Sequence, residues 1–255
     1  MGDQALVVGR GAVGSCFEND ERFTLISHED WAYMRHTLHW DDLSSRYNCF
    51  ICAAGIVGDD CNDVRMKDVM DANVELPLQM MQMARLSNAR FVAFSSTGIY
   101  KFNHDPNYRY KEKDDLQPRD RYTASKIAME YALETDNERH LRGYDRCFIL
   151  RLARLVHKVG KHSYDKYCKD WTQCTDAHVS VTYNNVVKGI IDPIFWNQLR
   201  GGIYNIDSEI VYLPDLLKEF GNEKFEIVPV GAINGVHSVA VDTMKHIESL
   251  DMIQH

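Results

Sequence analysis

Short apolar runs alternate with stretches of helical spacing as far as residue 150. The apolar runs lie at Ala5–Val8, Phe23–Ile26, 50–55, 90–94 and 147–150. Helical spacing is found from Gly14 onward, at 71–86 and at 123–134. Apolar strands that are separated by helices form a parallel sheet with both faces covered. The pattern therefore predicts an α/β fold, a Rossmann-type doubly wound parallel sheet.

The alternation of strands and helices changes after Arg151. Residues 155–177 are polar and irregular, whereas the tail predicts further short elements. These are strands at 179–183, Gly202–Ile206 and 225–228, and helices after 183, at 213–220 and at 242–250. We assign residues 1–154 and 178–207 to a dinucleotide-binding domain. Residues 155–177 and 208–255 are assigned to a small C-terminal substrate-binding region.

A glycine-rich loop follows the first predicted strand directly. It consists of Gly9, Arg10, Gly11, Ala12, Val13 and Gly14. In this motif the first glycine allows the tight turn, the second lets the backbone approach a pyrophosphate, and the third lets strand and helix pack closely. The N-terminus of the predicted helix would then face the diphosphate. The loop predicts a dinucleotide cofactor.

The residues around this loop favour NADP over NAD, although NAD remains an alternative. A carboxylate at the end of the second strand would bind the ribose 2′-hydroxyl of NAD. Here that strand ends at Ser27 and His28, and acidic residues come only later. The guanidinium of Arg10 could instead bind a 2′-phosphate. We therefore expect Arg10, Ser27 and His28 to contact the cofactor, with NADPH preferred.

Tyr122 and Lys126 form the candidate acid/base pair. Because they are four residues apart in a predicted helix, they share one face. A tyrosine ordinarily has a pKa of about 10, and a neighbouring ammonium brings it closer to working pH. Such a tyrosine can protonate a carbonyl oxygen as a hydride reaches the carbon. The hydroxyls of the 95–97 turn follow a predicted strand, at the sheet edge where ligands bind.

Composition excludes several other classes of protein. The chain has 255 residues, 45% of them hydrophobic, and a formal net charge of -8. That charge argues against nucleic-acid binding, and no apolar run approaches the roughly 18 residues of a membrane span. The seven cysteines and eleven histidines are scattered, so we expect neither disulfides nor a metal site. A cytoplasmic protein fits best.

Several further segments occur in the same order as the motifs above. They are the turn of Ala53, Ala54 and Gly55, the residue Asn73, the 95–100 turn and the strand at 149–152. Together the motifs resemble the extended short-chain dehydrogenase/reductase family of nucleotide-sugar epimerases, dehydratases and reductases. The resemblance implies cofactor contacts from Ala53, Ala54, Gly55 and Asn73. It also implies Ser96, or else Thr97, as the catalytic hydroxyl, Tyr122 as the acid/base and Lys126 as its helper, which also binds the cofactor.

The resemblance also narrows the reaction. The glycine loop is one residue shorter than is usual and is similar to the arginine-bearing loop of GDP-fucose synthases, in which the arginine serves NADP. Gly98 stands where such synthases carry a cysteine, and Thr97 and Gly98 stand where dehydratases carry an Asp-Glu pair. What remains is reduction of a 4-keto-6-deoxy nucleotide sugar, as in dTDP-4-dehydrorhamnose reductases. The alternatives are an epimerase that retains NAD(P), a reductase of a non-sugar ketone, and a non-catalytic NADP sensor.

The substrate side is less specific. Arg154 and Tyr183 are expected to contact substrate. Basic side chains could meet a diphosphate and aromatic ones could stack on a base: Lys158, Lys161, Lys166, Tyr164, Tyr167 and Trp171. The helices after residues 71 and 122 correspond to the family's dimer interface, so a homodimer is expected. Their apolar positions include Leu76, Met80, Met83, Ile127 and Tyr131.

Overall fold

The computed structural model describes residues 4–37, 45–58, 60–103, 105, 108–138, 145–157, 168–169 and 171–229. The central sheet has six parallel strands in the order β2-β1-β3-β4-β5-β9. These strands are β1 Ala5–Val8, β2 Phe23–Ile26, β3 Cys49–Cys52, β4 Arg90–Ser96, β5 Cys147–Leu152 and β9 Gly202–Ile206. The prediction of a doubly wound parallel sheet is confirmed, since successive crossovers place β2 on one side of β1 and the later strands on the other.

Seven α-helices lie in the described part of the chain. They are α1 His28–Thr37, α2 Asp60–Asp63, α3 Met66–Met70, α4 Leu76–Leu86, α5 Arg121–Glu138, α6 Asn184–Phe195 and α7 Leu213–Glu219. Between α3 and α4 the chain forms one π-helical turn, Asp71–Glu75. The predicted helices at 71–86 and 123–134 are thus confirmed and extend further than predicted. The predicted helix at 242–250 lies outside the described residues.

Each face of the central sheet is buried against its own set of helices. One face packs on Trp31 of α1, on Met80 of α4 and on Met129 of α5. The other packs on Phe17 and on the apolar side of α6. Because Leu76, Met80 and Met83 are buried in the first of these cores, they belong to intramolecular packing and not to an exposed interface. The homodimer stays a prediction.

The helix expected from Gly14 onward is the main error in the predicted fold. The structure has a single 3₁₀ turn there, Gly14–Phe17. Asn19 follows with a φ of 61°, a left-handed conformation that ends a helix. The buried ring of Phe17 packs on Phe23 of β2 at a centroid distance of 4.9 Å. The link between β1 and β2 therefore contains one 3₁₀ turn in place of the expected helix.

The C-terminal region contains two smaller sheets. The strands β6 Arg154–Val156, β8 His178–Tyr183 and β10 Glu209–Tyr212 form one, and β7 Gln173–Thr175 pairs with β11 Glu226–Val228 in the other. The strand β8 thus pairs with β6 and β10, and the central sheet resumes at β9. The division into a dinucleotide-binding domain and a substrate-binding region stays a prediction. Among the described residues, no helix is long and apolar enough to cross a membrane.

Candidate active site

The three glycines of the glycine loop differ in the space around them. A side chain at two of them would clash with backbone atoms, whereas the third faces open space. Gly9 has a φ of +116°, and a Cβ there would lie 2.4 Å from the Ala54 nitrogen. A Cβ on Gly14 would lie 1.9 Å from the Gly9 oxygen. Nothing lies within 4 Å of a Cβ on Gly11. Gly9 and Gly14 are therefore required for packing, whereas Gly11 leaves room for a ligand close to the backbone.

Ser27 and His28 follow the last residue of β2, and Arg10 is hydrogen-bonded to the same strand. The exposed Arg10 guanidinium donates from Nη2 to the Leu25 oxygen at 2.8 Å, which fixes it beside this strand. The Ser27 hydroxyl accepts from the Asp30 amide at 3.0 Å, and the Asp30 carboxylate accepts from the Ser27 amide at 3.0 Å. This reciprocal pair caps α1. The Ser27 side chain is therefore engaged in capping, and His28 is exposed at the first turn.

Asn73 ties the turn after β3 to the helix that carries Lys126. The Asn73 side chain donates to the Ile56 oxygen at 2.9 Å and to Ser125 Oγ at 2.8 Å, and accepts from the Ile56 amide at 2.8 Å. A Cβ on Gly55 would lie 2.9 Å from Asn73 Oδ1. The π-helical turn places Asn73 at this point. Sequence reasoning identified Gly55 and Asn73 but missed Ile56 and Ser125.

Lys126 is buried at the end of β4. Only 6% of this residue is exposed, and its amine donates to the Phe94 oxygen at 2.9 Å. The amine lies 5.8 Å from the centre of the Tyr122 ring and would lie 3.7 Å from a Cβ on Gly55. Burial lowers the pKa of Lys126, an effect that nearby groups including Glu130 partly oppose. Tyr122 and Lys126 therefore share one face of α5, as predicted. Lys126 also lies beside Gly55, in the turn after β3 that is predicted to contact the cofactor.

Ser95, Ser96 and Thr97 carry hydroxyls at the end of β4, in a segment called the hydroxyl turn below. One of these residues is a partly exposed candidate for the catalytic hydroxyl. Ser96 Oγ accepts from the Gly98 amide at 3.1 Å and so caps the 3₁₀ turn Thr97–Ile99. Ser95 and Thr97 are both buried. Ser96 is half-buried, so it is the hydroxyl of this turn best placed to reach a ligand. Thr97 remains the second choice, as the sequence predicted.

Arg119 adjoins this turn and was missed by sequence reasoning. Its guanidinium donates from Nη2 to the Gly98 oxygen. Its Nε and Nη1 atoms are buried and have no acceptor among the described residues. Burial lowers the pKa of Arg119. The only signal in the sequence was its position three residues before Tyr122, which by itself identifies no role.

A second missed cluster lies behind the Tyr122–Lys126 pair. Glu130 and Arg151 form a bidentate ion pair with N···O distances of 3.0 Å and 2.6 Å, and both side chains are 2% exposed. Arg151 Nη1 also donates to the Tyr100 hydroxyl at 2.9 Å. That hydroxyl donates to Asn205 Oδ1 at 2.6 Å. The network joins α5 and the sheet to the segment after β4.

The substrate-side predictions divide into two groups. Arg154 lies in β6 with its guanidinium 5.2 Å from the centre of the Trp171 ring. The Tyr183 hydroxyl donates to Glu209 Oε1 at 2.5 Å, and burial with this partner raises the pKa of Tyr183 to about 12. The other candidates lie outside the described residues: Lys158, Lys161, Lys166, Tyr164 and Tyr167.

Known proteins share this fold. Residues 5–172 match the family described as NAD dependent epimerase/dehydratase. A dTDP-4-dehydrorhamnose reductase structure from Clostridium acetobutylicum is 14% identical, covers 99% of this chain and 100% of its own, and has a TM-score of 0.68. A second such reductase, from Bacillus anthracis in complex with NADP, is 17% identical over 98% of this chain and 92% of its own, with a TM-score of 0.70.

A UDP-N-acetylglucosamine 4-epimerase from Methanobrevibacter ruminantium, in complex with UDP-N-acetylmuramic acid, is 12% identical over 98% of this chain and 92% of its own, with a TM-score of 0.71. A search of curated sequences finds no match. At these identities the solved structures show the fold alone. The family match is different, because it covers more than half of the chain and spans the glycine loop, Asn73, Ser96, Tyr122 and Lys126. The chain belongs to the NAD-dependent epimerase/dehydratase family.

Proposed function

We propose that this protein is an NADP-dependent oxidoreductase that reduces a keto group of a nucleotide-linked sugar of the 4-keto-6-deoxy type. The observation that carries the proposal is the buried Lys126 amine, which donates to the Phe94 oxygen at 2.9 Å and lies beside both the Tyr122 ring and Gly55. A buried ammonium is costly. Its position between a tyrosine and the predicted cofactor turn is an arrangement that serves proton transfer.

In this proposal the chain's own groups handle the proton and the orientation of the carbonyl. Tyr122 gives its proton to the carbonyl oxygen, and Lys126 stabilises the resulting phenolate. The Ser96 hydroxyl donates a hydrogen bond to the same carbonyl oxygen and orients it. The nicotinamide nucleotide, when bound, supplies the hydride.

The residues present fit a dinucleotide. The open space above Gly11 admits a diphosphate close to the backbone. Gly55 leaves no room for a side chain beside Asn73 and Lys126, so the turn after β3 can lie flat along the cofactor. The hydrogen bond from Arg10 to the Leu25 oxygen keeps this guanidinium beside β2, which supports the proposal that it binds a 2′-phosphate and that NADP is preferred over NAD.

The similar structures support a sugar nucleotide as substrate. Two of them are described as dTDP-4-dehydrorhamnose reductases, one of these in complex with NADP. The similarity to a UDP-N-acetylglucosamine 4-epimerase supports a second candidate function, that of an epimerase with retained NAD(P). Gly98 bears no acid, which argues against dehydration. Arg154, stacked on Trp171, is the described cation best placed for a substrate diphosphate.

The test measures NADPH and NADH consumption with a panel of nucleotide-linked 4-keto-6-deoxy sugars. Tyr122→Phe should lower kcat by about 10²- to 10⁴-fold, the usual contribution of a general acid. Tyr131→Phe is the matched control, because Tyr131 lies on the same helix and is 68% exposed. Arg10→Ala should weaken NADPH more than NADH. Tight NADPH binding without turnover would favour the epimerase or a sensor, and no binding of either nucleotide would contradict the cofactor assignment.

A further inference from the structure

Arg119 is anchored to the first turn of the helix that carries Tyr122. Its backbone amide donates to Thr123 Oγ1 at 2.9 Å. The Thr123 amide in turn donates to Asp120 Oδ1 at 2.6 Å, which caps α5. Any movement of Arg119 relative to Tyr122 would break these short-range bonds. The Arg119 backbone is therefore a fixed extension of the α5 N-terminus.

The Arg119 side chain reaches from this anchor to the hydroxyl turn. Its Nη2 atom donates to the Gly98 oxygen, and the Gly98 amide donates to Ser96 Oγ at 3.1 Å. Hydrogen bonds thus run from the start of α5 through Gly98 to the Ser96 hydroxyl. This is a direct link between the segment before Tyr122 and the hydroxyl expected to act on the same carbonyl.

Gly98 is shaped to the arginine. A Cβ at this position would lie 3.1 Å from Ser96 Oγ and 3.5 Å from Arg119 Nη2. Gly98 is not among the described residues with a positive φ, so space and not backbone conformation is what a glycine provides here. Because residue 98 has no side chain, the Arg119 guanidinium can lie against the turn.

The arrangement is costly for stability. Nε and Nη1 of Arg119 are buried without an acceptor among the described residues, and burial lowers the pKa of Arg119 although the neighbouring Asp120 opposes the effect. Buried donors without partners destabilise a fold. A feature that costs stability next to reacting groups is the pattern expected of function, since activity and stability often compete at such sites.

We propose that Arg119 is a positioning residue, which fixes the turn carrying Ser96 relative to Tyr122. Gly98 leaves the space that the Arg119 guanidinium occupies. The inference rests on the proposed function, because it assumes that Ser96 and Tyr122 act on one carbonyl oxygen. The contact itself does not depend on which substrate is turned over. It can therefore be tested by a measurement that needs no substrate.

The test compares Arg119→Met with Arg121→Met in the full chain. Arg121 lies two residues away, but its guanidinium donates to the Cys61 and Val64 oxygens and not to the hydroxyl turn. We expect hydrogen exchange at residues 96–98 to become at least about tenfold faster in Arg119→Met only. Its Tm should not fall, because two unpartnered donors are removed. kcat should fall by about 10- to 100-fold, with the KM for NADPH within about twofold of wild type.

Gly98→Ala is the second variant, since it keeps the guanidinium and fills the gap. Its loss of kcat should not add to that of Arg119→Met, because both act on one contact. Unchanged exchange at 96–98, additive losses, or a clear fall of Tm in Arg119→Met would overturn the positioning role. If exchange responds as expected while the wild type reduces none of the sugars, the reductase proposal fails and the positioning role stands.

Discussion

Removing the Tyr100 hydroxyl should destabilise the protein strongly, although it deletes a single oxygen. Tyr100→Phe keeps the ring and its stacking on Tyr110, whose centroid lies 4.9 Å away. It removes the donor to Asn205 Oδ1 at 2.6 Å and the acceptor of Arg151 Nη1 at 2.9 Å. Arg151 would keep its bond to the Glu112 oxygen at 2.8 Å. The change therefore isolates two hydrogen bonds in a buried network.

The magnitude follows from the type of each bond. A neutral hydrogen bond contributes about 1 kcal/mol net and one to a charged group about 1.5–3 kcal/mol, so a loss of about 3 kcal/mol is expected. For a chain of this size that corresponds to a fall in Tm of roughly 6–12 °C. Glu130→Gln should cost more, about 3–5 kcal/mol, because it leaves the Arg151 charge buried without a counter-ion.

Urea unfolding followed by circular dichroism measures these free energies. Tyr33→Phe is the control, because Tyr33 is 70% exposed on α1 and should change stability by less than about 0.5 kcal/mol. The double variant of Tyr100→Phe and Glu130→Gln should lose less than the sum of the single variants, since both bond to Arg151. A Tyr100→Phe variant as stable as the control, or strictly additive losses, would refute the view that these residues act as one network.

Two further predictions concern the glycine loop and acid stability. Gly11→Ala should be as stable as wild type, because nothing lies within 4 Å of the added methyl group. It should weaken NADPH binding by about tenfold or more, measured by calorimetry, because the methyl group would block the diphosphate. Equal affinity in the variant and wild type would contradict the cofactor site. Arg22 and Lys188 hold the pKa of the Asp20 carboxyl well below its usual range, so its stabilising effect is present above pH of about 4 and is lost as the pH falls further. Asp20→Asn should therefore destabilise the protein at pH 7 but much less near pH 2 in urea unfolding.

The strands of the central sheet were predictable because a strand buried on both faces must be apolar throughout. β1 and β2 have the predicted limits, and β4 and β5 extend two residues past the predicted ends at 94 and 150. The added residues of β4, Ser95 and Ser96, are polar and form the C-terminal end of the strand. The hydrophobic pattern identifies the buried apolar part of a strand, but it gives no signal for polar residues at the end of the strand.

The candidate site could be predicted from the sequence where a local motif carries it, and its role stays a prediction. Gly11 and Lys126 could be found because their neighbours in sequence are also their neighbours in the site. Glu130, Arg151 and Arg119 could not, because their partners are distant in sequence: Arg151 lies in β5 and Glu130 in α5, and Arg119 acts on Gly98. A polar residue in a helical pattern is indistinguishable from a surface residue until the fold supplies its partner.

The shortened first helix changes how a diphosphate would be held. In a full Rossmann unit the N-terminus of the first helix carries about half a positive charge, but the 3₁₀ turn Gly14–Phe17 sums few peptide dipoles. The loop amides then serve any dinucleotide equally, whereas Arg10 at the end of β2 is the nearby cation placed by a hydrogen bond to Leu25. Because the dipole is weak, we predict that the guanidinium accounts for a larger share of any affinity for NADPH. Discrimination between NADPH and NADH is predicted to depend on Arg10 and not on the loop, because the loop amides face a diphosphate that both cofactors carry.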